Sequence, residues 1–157
     1  MDEQDLSYLR SAIALAYEAR ARGQHPFGAL VVADGQILAQ AGNASGGPKG
    51  DATQHAELIA VSEASRRFPP ERLARATLYS SAEPCAMCAG AVYWSRISRV
   101  VYALSEKRLL ELTRNHPENP TLSLPCREVF ARGQRRIEVL GPALEEEAAA
   151  AHLGFWT

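Results

Sequence analysis

Residues Thr77 to Leu104 read TLYSSAEPCAMCAGAVYWSRISRVVYAL. The run Thr77–Ser81 is apolar and suited to a strand. Pro84 fits the first turn of a helix, and the helical segment continues through Trp94. Arg99–Leu104 is a second apolar strand. A strand, a helix and a strand in this order predict a parallel crossover. Cys85 and Cys88 sit three apart at the helix start, so both thiols can face one side. Free N–H groups and the helix dipole there favour thiolate, the form that binds metal.

The segments on either side extend this pattern. Leu6, Leu9, Ile13 and Ala16/Tyr17 recur at helical spacing, and Gly23 is a good stop. Phe27–Val32 reads as a buried strand, Asp34-Gly35 as a hairpin turn, and Ile37–Ala41 as the returning strand. Residues 42–53 are a loop by composition, and a helix is expected from Thr53 to Arg67, ended by Pro69-Pro70. Beyond Leu104 the order is a helix near Lys107–Thr113, a Pro-rich loop at 114–125, a strand at Arg136–Leu140 and a terminal helix opened by Glu145-Glu146-Glu147. The pattern predicts a single domain over 1–157 in the α/β class. It is a three-layer α/β/α sandwich whose five-stranded mixed sheet is mostly parallel after the hairpin.

Bulk properties narrow the partners. The chain has 157 residues, 46% hydrophobic and 22% charged, with a formal charge of -1. That composition suits a soluble globular protein and disfavours nucleic acid as a partner, because no broad basic footprint is present. The acidic start, Met1-Asp2-Glu3-Gln4-Asp5, lacks the basic region and apolar run of a secretory signal. No apolar stretch is long enough to span a bilayer. Three cysteines, two of them as Cys-x-x-Cys, suit a reducing compartment, so a cytoplasmic location is expected.

The chemistry rests on His55-Ala56-Glu57 together with Pro84-Cys85-Ala86-Met87-Cys88. One imidazole and two thiols can hold one zinc ion per chain with a coordination position left open, which is the catalytic arrangement. Zinc lowers the pKa of its water to about 7, which makes hydroxide available at neutral pH. A carboxylate two residues past the histidine is placed to carry protons.

These motifs resemble the cytidine deaminase-like superfamily of zinc-dependent nucleobase and nucleoside deaminases, most closely its guanine deaminase and tRNA adenosine deaminase branch. The resemblance runs over Pro26-Phe27-Gly28-Ala29, Asn43, His55-Ala56-Glu57, Ser81 to Cys88 and Ala91-Val92-Tyr93-Trp94. It implies that His55, Cys85 and Cys88 bind zinc and that Glu57 shuttles protons while zinc hydroxide attacks and ammonia leaves. It implies that Asn43 and the Ala56 N–H hold the ring and that Phe27 and Trp94 enclose it. Phe27 and Tyr93-Trp94 resemble the guanine deaminase pattern, whereas Ser95-Arg96-Ile97 and Arg99 to Tyr102 resemble the tRNA branch. The acidic stretch of guanine deaminases is replaced by Leu112 to Asn119 here, so Asn115, His116, Glu118 and Asn119 become candidates for reading the ring. The chain also stops at Phe155-Trp156-Thr157 without the basic tail that would grip a phosphate backbone. The expected substrate is a purine-like free base or nucleoside, with a homodimer implied by the resemblance. Alternatives are tRNA adenosine deamination and a non-catalytic zinc-stabilised binding module.

Simpler roles compete at several positions. Cys-x-x-Cys alone would serve a redox pair or half a structural zinc site, but the His-Ala-Glu partner favours catalysis. Asn43 suits a turn as well as a substrate contact. Phe27 and Trp94 suit a core as well as a pocket. Glu83 is expected to hold its loop by accepting backbone N–H groups, and Cys126 to be a small buried hydrophobe. Arg66, Arg67, Arg72 and Arg75 read as a solvated face.

Overall fold

The computed structural model describes residues 1–157. Its elements are α1 (Glu3–Ala21), β1 (Gly28–Ala33), β2 (Gln36–Gly42), α2 (Ala56–Arg67), α3 (Pro70–Leu73), β3 (Thr77–Ala82), α4 (Ala86–Ser95), β4 (Arg99–Leu104), α5 (Glu106–Thr113), α6 (Cys126–Ala131), β5 (Glu138–Leu140) and α7 (Glu145–Ala150). The five strands form one sheet in the order β2-β1-β3-β4-β5. β1 is antiparallel to both neighbours, whereas β3–β4 and β4–β5 are parallel. The mixed five-stranded sheet is the one expected from the sequence. The helices α3 and α6 were not expected. Each is a single turn or little more, begun at or just after a proline, and is too short to carry a periodic apolar signal.

The strand period of two sends alternate side chains to opposite faces. Ala29, Val31 and Ala33 of β1 join a core with Ala56, Ala60, Val61 and Ala64 of α2 and Ala89 and Val92 of α4. Leu30 and Val32 join a second core with Leu9, Ala12 and Ile13 of α1 and Ala148 and Ala149 of α7. Burial on both faces explains why β1, β3 and β4 read as continuous apolar runs rather than alternating ones.

Two contacts fix α1 on the sheet. At Gly28 a Cβ would lie 2.4 Å from the Ala12 carbonyl oxygen, so only glycine lets α1 approach the start of β1 this closely. At the opposite end Arg99 grips Asp5 in a bidentate pair, Nη1 to Oδ1 at 2.7 Å and Nη2 to Oδ2 at 2.8 Å, while the Tyr79 hydroxyl donates to Oδ1 at 2.6 Å. α2 and α4 pack against each other on the other face, and their N-termini bring the two sequence motifs together.

Candidate metal centre

His55 is the N-cap residue of α2, and Cys85 is the N-cap residue of α4. Both have extended backbones, so each side chain leaves its helix start sideways. Cys88 follows in the first turn of α4 and is fully buried. His55 Nδ1 lies 3.5 Å from Cys85 Sγ and 3.6 Å from Cys88 Sγ. A tetrahedral ion bonded to sulfur at about 2.3 Å and to nitrogen at about 2.05 Å needs an N···S edge of about 3.6 Å. The donor set therefore fits zinc in spacing as well as in type, and the three ligand atoms all lie within 4.8 Å of one another. The hydrogen bond from Cys88 and the neighbouring imidazole hold the Cys85 thiol down to about 4, and the bond to Cys85 together with burial pushes Cys88 up.

Glu57, in the first turn of α2, is only 6% exposed. Burial lifts its carboxyl to about 7, and the Cys85 thiolate pushes the same way. Ala56 is the first residue of α2 and fully buried, and its N–H takes no partner within the chain. Asn43 is 2% exposed, and its Oδ1 accepts both the backbone N–H and the hydroxyl of Ser45, each at 2.9 Å. That arrangement makes Asn43 a turn residue and leaves its amide NH2 free as a donor. The Asn43 N–H donates to the Phe27 carbonyl at 3.0 Å.

Glu83 and Glu106 complete the charge pattern. Glu83 is 8% exposed. Its Oε1 accepts the Glu106 N–H at 3.0 Å and its Oε2 accepts the Cys126 N–H at 2.9 Å, the loop-holding role expected of it. Sequence reasoning missed Glu106. The parallel register pairs Ala82 with Leu104, so Glu106 stands alongside Pro84 and next to Cys85. Burial raises its carboxyl to about 8, and the charges of Glu83, Cys85 and Glu57 add to the effect. The signal available in sequence was only its offset from the end of a strand, where open α/β sheets collect functional groups.

The other candidates are placed differently. Trp94 does not close a pocket within the chain. It is 82% exposed, and its only close aromatic contact is the adjacent Tyr93. The reason is helical: Trp94 is displaced from Cys88 by about 9 Å along the axis and turned roughly 120° away from it. Asn115 adopts a left-handed backbone and its Oδ1 accepts the Thr121 N–H at 3.2 Å, so it organises its own loop. His116 accepts the Glu118 N–H through Nδ1 and faces the Thr157 carbonyl through Nε2 at 3.2 Å. Glu118 lies 3.7 Å from His25, and Asn119 donates its N–H to the His116 carbonyl. The 114–125 loop is thus joined to the C-terminal segment and to His25. That segment folds back on its own chain, with Trp156 4.9 Å from His25 and 6.4 Å from Phe27. Cys126 is fully buried as expected, and Arg67 and Arg75 are paired on the surface with Glu63 and Asp34.

Three ligands of mixed nitrogen and sulfur type, beside a buried carboxyl poised near neutrality, are equipped for metal-assisted hydrolysis. Residues 2–104 match the family model of the cytidine and deoxycytidylate deaminase zinc-binding region. A protein described as a probable cytosine deaminase of Schizosaccharomyces pombe is 43% identical over 157 residues, covering 99% of this chain and 94% of its own. The tRNA-specific adenosine deaminase of Bacillus subtilis is 41% identical over 99 residues, 63% of this chain and 61% of its own. The structure of guanine deaminase from Nitrosomonas europaea superposes with a TM-score of 0.75 at 26% identity, covering 92% of this chain and 80% of that one.

Proposed function

This chain belongs to the family of the cytidine and deoxycytidylate deaminase zinc-binding region, and on that premise we propose that its substrate is a small heterocyclic amine, a purine-like free base or nucleoside. The chain is a hydrolytic deaminase with a zinc-binding domain. The reaction replaces the exocyclic amine with oxygen from water and releases ammonia.

The observation that carries the proposal is the placement of the buried Glu57 carboxyl beside the His55, Cys85 and Cys88 triangle. Those three ligands would hold zinc, which when bound supplies a nucleophilic water at neutral pH. Glu57 accepts a proton in its ionised form and delivers it to the ring nitrogen and the departing amine in its protonated form. The Asn43 amide and the Ala56 N–H donate to acceptors on the ring edge and orient it. Phe27 supplies aromatic surface. One domain over residues 1–157, a cytoplasmic setting and a homodimer belong to the same proposal. Three unpaired cysteines and the exposed Trp94 and Leu153 support the last two.

A second reading, cytosine as the ring, is favoured by the Schizosaccharomyces pombe relative, whose similarity spans nearly the whole of both chains. The test is ammonia release over guanine, adenine, cytosine and their nucleosides, with an anticodon stem-loop assayed for inosine. Turnover of a purine base or nucleoside supports the first reading and turnover of cytosine alone supports the second. Inosine formation in the stem-loop without small-molecule turnover overturns both.

A further inference from the structure

A surface cavity of about 540 Å³ lies between α6 and β5, and no residue of the metal centre lines it. β5 pairs with Arg99–Val101 at the start of β4, whereas Cys85 and Glu106 follow the far ends of β3 and β4. Phe130 of α6 and Ile137 are buried and Val139 is half-buried, so together they make an apolar floor. Arg127, Arg135 and Arg136 stand around that floor, and no carboxylate is among the lining residues. Of the nearby acids, Glu138 is engaged by Arg99 and Glu128 does not line the cavity.

The positive charge is fixed in place rather than neutralised. Arg127 donates through Nη1 to the Tyr102 hydroxyl at 2.9 Å and through Nη2 to the Val139 and Gly141 carbonyls at 3.1 and 3.2 Å. Arg135 donates to the carbonyls of Ile97, Val92 and Tyr93, with its guanidinium 5.1 Å over the Tyr93 ring. The turn before it is held to the same ring. The Tyr93 hydroxyl accepts the Gln134 N–H at 3.0 Å, and a Cβ at Gly133 would lie 2.8 Å from the ring. All of these acceptors are neutral, and none of the three arginines takes part in an ion pair. The Nε–H groups of Arg127 and Arg135 have no partner, and Arg136 is exposed. Burial lowers the Arg135 guanidinium from its ordinary value, and the charge of Arg96 adds to this against the opposing effect of Tyr93. That is the behaviour of a cation without a counter-charge.

We propose that this cavity is a second binding site, which takes a small organic phosphate: a phosphate monoester carried on a planar or apolar body. A concave surface of one charge sign with apolar walls concentrates counter-ions. Guanidinium groups match phosphate oxygens in geometry and stack on planar groups. Arg127 and Arg135 are already held by the chain, so little side-chain freedom is lost when a ligand binds them. The phosphate meets the free Nε–H groups and Arg136, and the body lies on Phe130, Ile137 and Val139. The volume is of the order that small-molecule sites occupy, which is more than a bare phosphate fills. A phosphate dianion balances more of the three cations than a carboxylate would. The site is independent of which ring is deaminated at the metal centre.

Calorimetric titration of the zinc-loaded full chain with phenyl phosphate tests the proposal. Inorganic phosphate and phenol serve as the two halves of that probe, and uridine monophosphate as a nucleotide with no exocyclic amine to lose. The expected Kd for phenyl phosphate is below about 1 mM and at least about tenfold tighter than for either half. In Arg136→Ala, with circular dichroism unchanged, it should weaken by about tenfold or more. Amide NMR spectra place the site: shifts should gather at residues 127–139 and spare 55–57 and 85–88. Tighter binding of uridine monophosphate than of phenyl phosphate supports the proposal with a nucleotide as the occupant. The reverse order supports it with a non-nucleotide aromatic phosphate. Absence of phenyl phosphate binding up to about 10 mM overturns it. So do an unchanged Kd in folded Arg136→Ala and shifts centred on the ligand segments. Equal affinity for inorganic phosphate also overturns it, because the cavity is then an adventitious ion site only.

Discussion

Glu83 Oε2 accepts the backbone N–H of Cys126 at 2.9 Å across the top of the sheet. Its other oxygen takes the Glu106 N–H, so one carboxylate caps two helix starts and ties both to the turn that precedes Cys85. Glu83→Ala leaves two donors without a partner. Each should cost about 1–3 kcal/mol, and the turn carrying Cys85 should loosen. A melting-temperature scan with a zinc titration checks this. The expected outcome is a lower Tm and weaker zinc retention, with Glu83→Gln intermediate because it keeps one acceptor oxygen.

Glu57→Gln removes the only carboxyl of the His-Ala-Glu motif and keeps its shape. Zinc content should stay near one per chain, because the ligand triangle does not include Glu57. Ammonia release should fall by about 10²–10⁴-fold, the usual worth of a positioned proton carrier. Metal analysis paired with steady-state turnover reads both outcomes, and near-normal turnover would remove Glu57 from the mechanism.

Glu106 is a half-buried carboxyl without an ion-pair partner, raised to about 8 mainly by burial. A carboxyl whose folded value exceeds its unfolded value favours the folded state below the unfolded value and costs stability as pH rises through the folded one. Glu106→Gln should therefore raise the Tm of zinc-free protein at pH 8 and leave it nearly unchanged at pH 4.5. Thermal melts at the two pH values decide the matter. Because the β3–β4 register sets Glu106 beside Cys85, the same variant should also raise KM for the substrate.

Asp5 behaves in the opposite sense. The Arg99 guanidinium and the Tyr79 hydroxyl hold its carboxylate well below the usual range despite burial. The stability it contributes is present above about pH 4 and is lost as pH falls through the folded value. Asp5→Asn leaves Arg99 without its buried partner and should cost about 3 kcal/mol at pH 7. The gap between variant and wild type should shrink in urea titrations below pH 4.

Gly28→Ala would drive a Cβ to 2.4 Å from the Ala12 carbonyl and 2.5 Å from Leu15 Cβ. Both obstacles belong to α1, the backbone oxygen among them, so the helix itself must move. A loss of about 1–3 kcal/mol or more is expected from such overpacking, read as a depressed Tm. Because Phe27 immediately precedes β1 and Asn43 pairs back to Phe27, weaker substrate binding should accompany it.

The sequence by itself determined the sheet, the two helix starts and the ligand set. Apolar runs long enough to be strands fixed β1, β3 and β4, and two short motifs with metal-ligand spacing fixed His55, Cys85, Cys88 and Glu57, because period and spacing are local properties. The tertiary structure alone decided what depends on contacts between distant segments. The register of β3 against β4 brought Glu106 beside Cys85. The turn at Gly154 brought Trp156 to His25 across most of the chain. Trp94 shows the converse: the motif Tyr93-Trp94 suggested a pocket wall, and the rotation of α4 carried the ring to the surface. No spacing rule reports such pairings, since they are set by how helices rotate and where loops return.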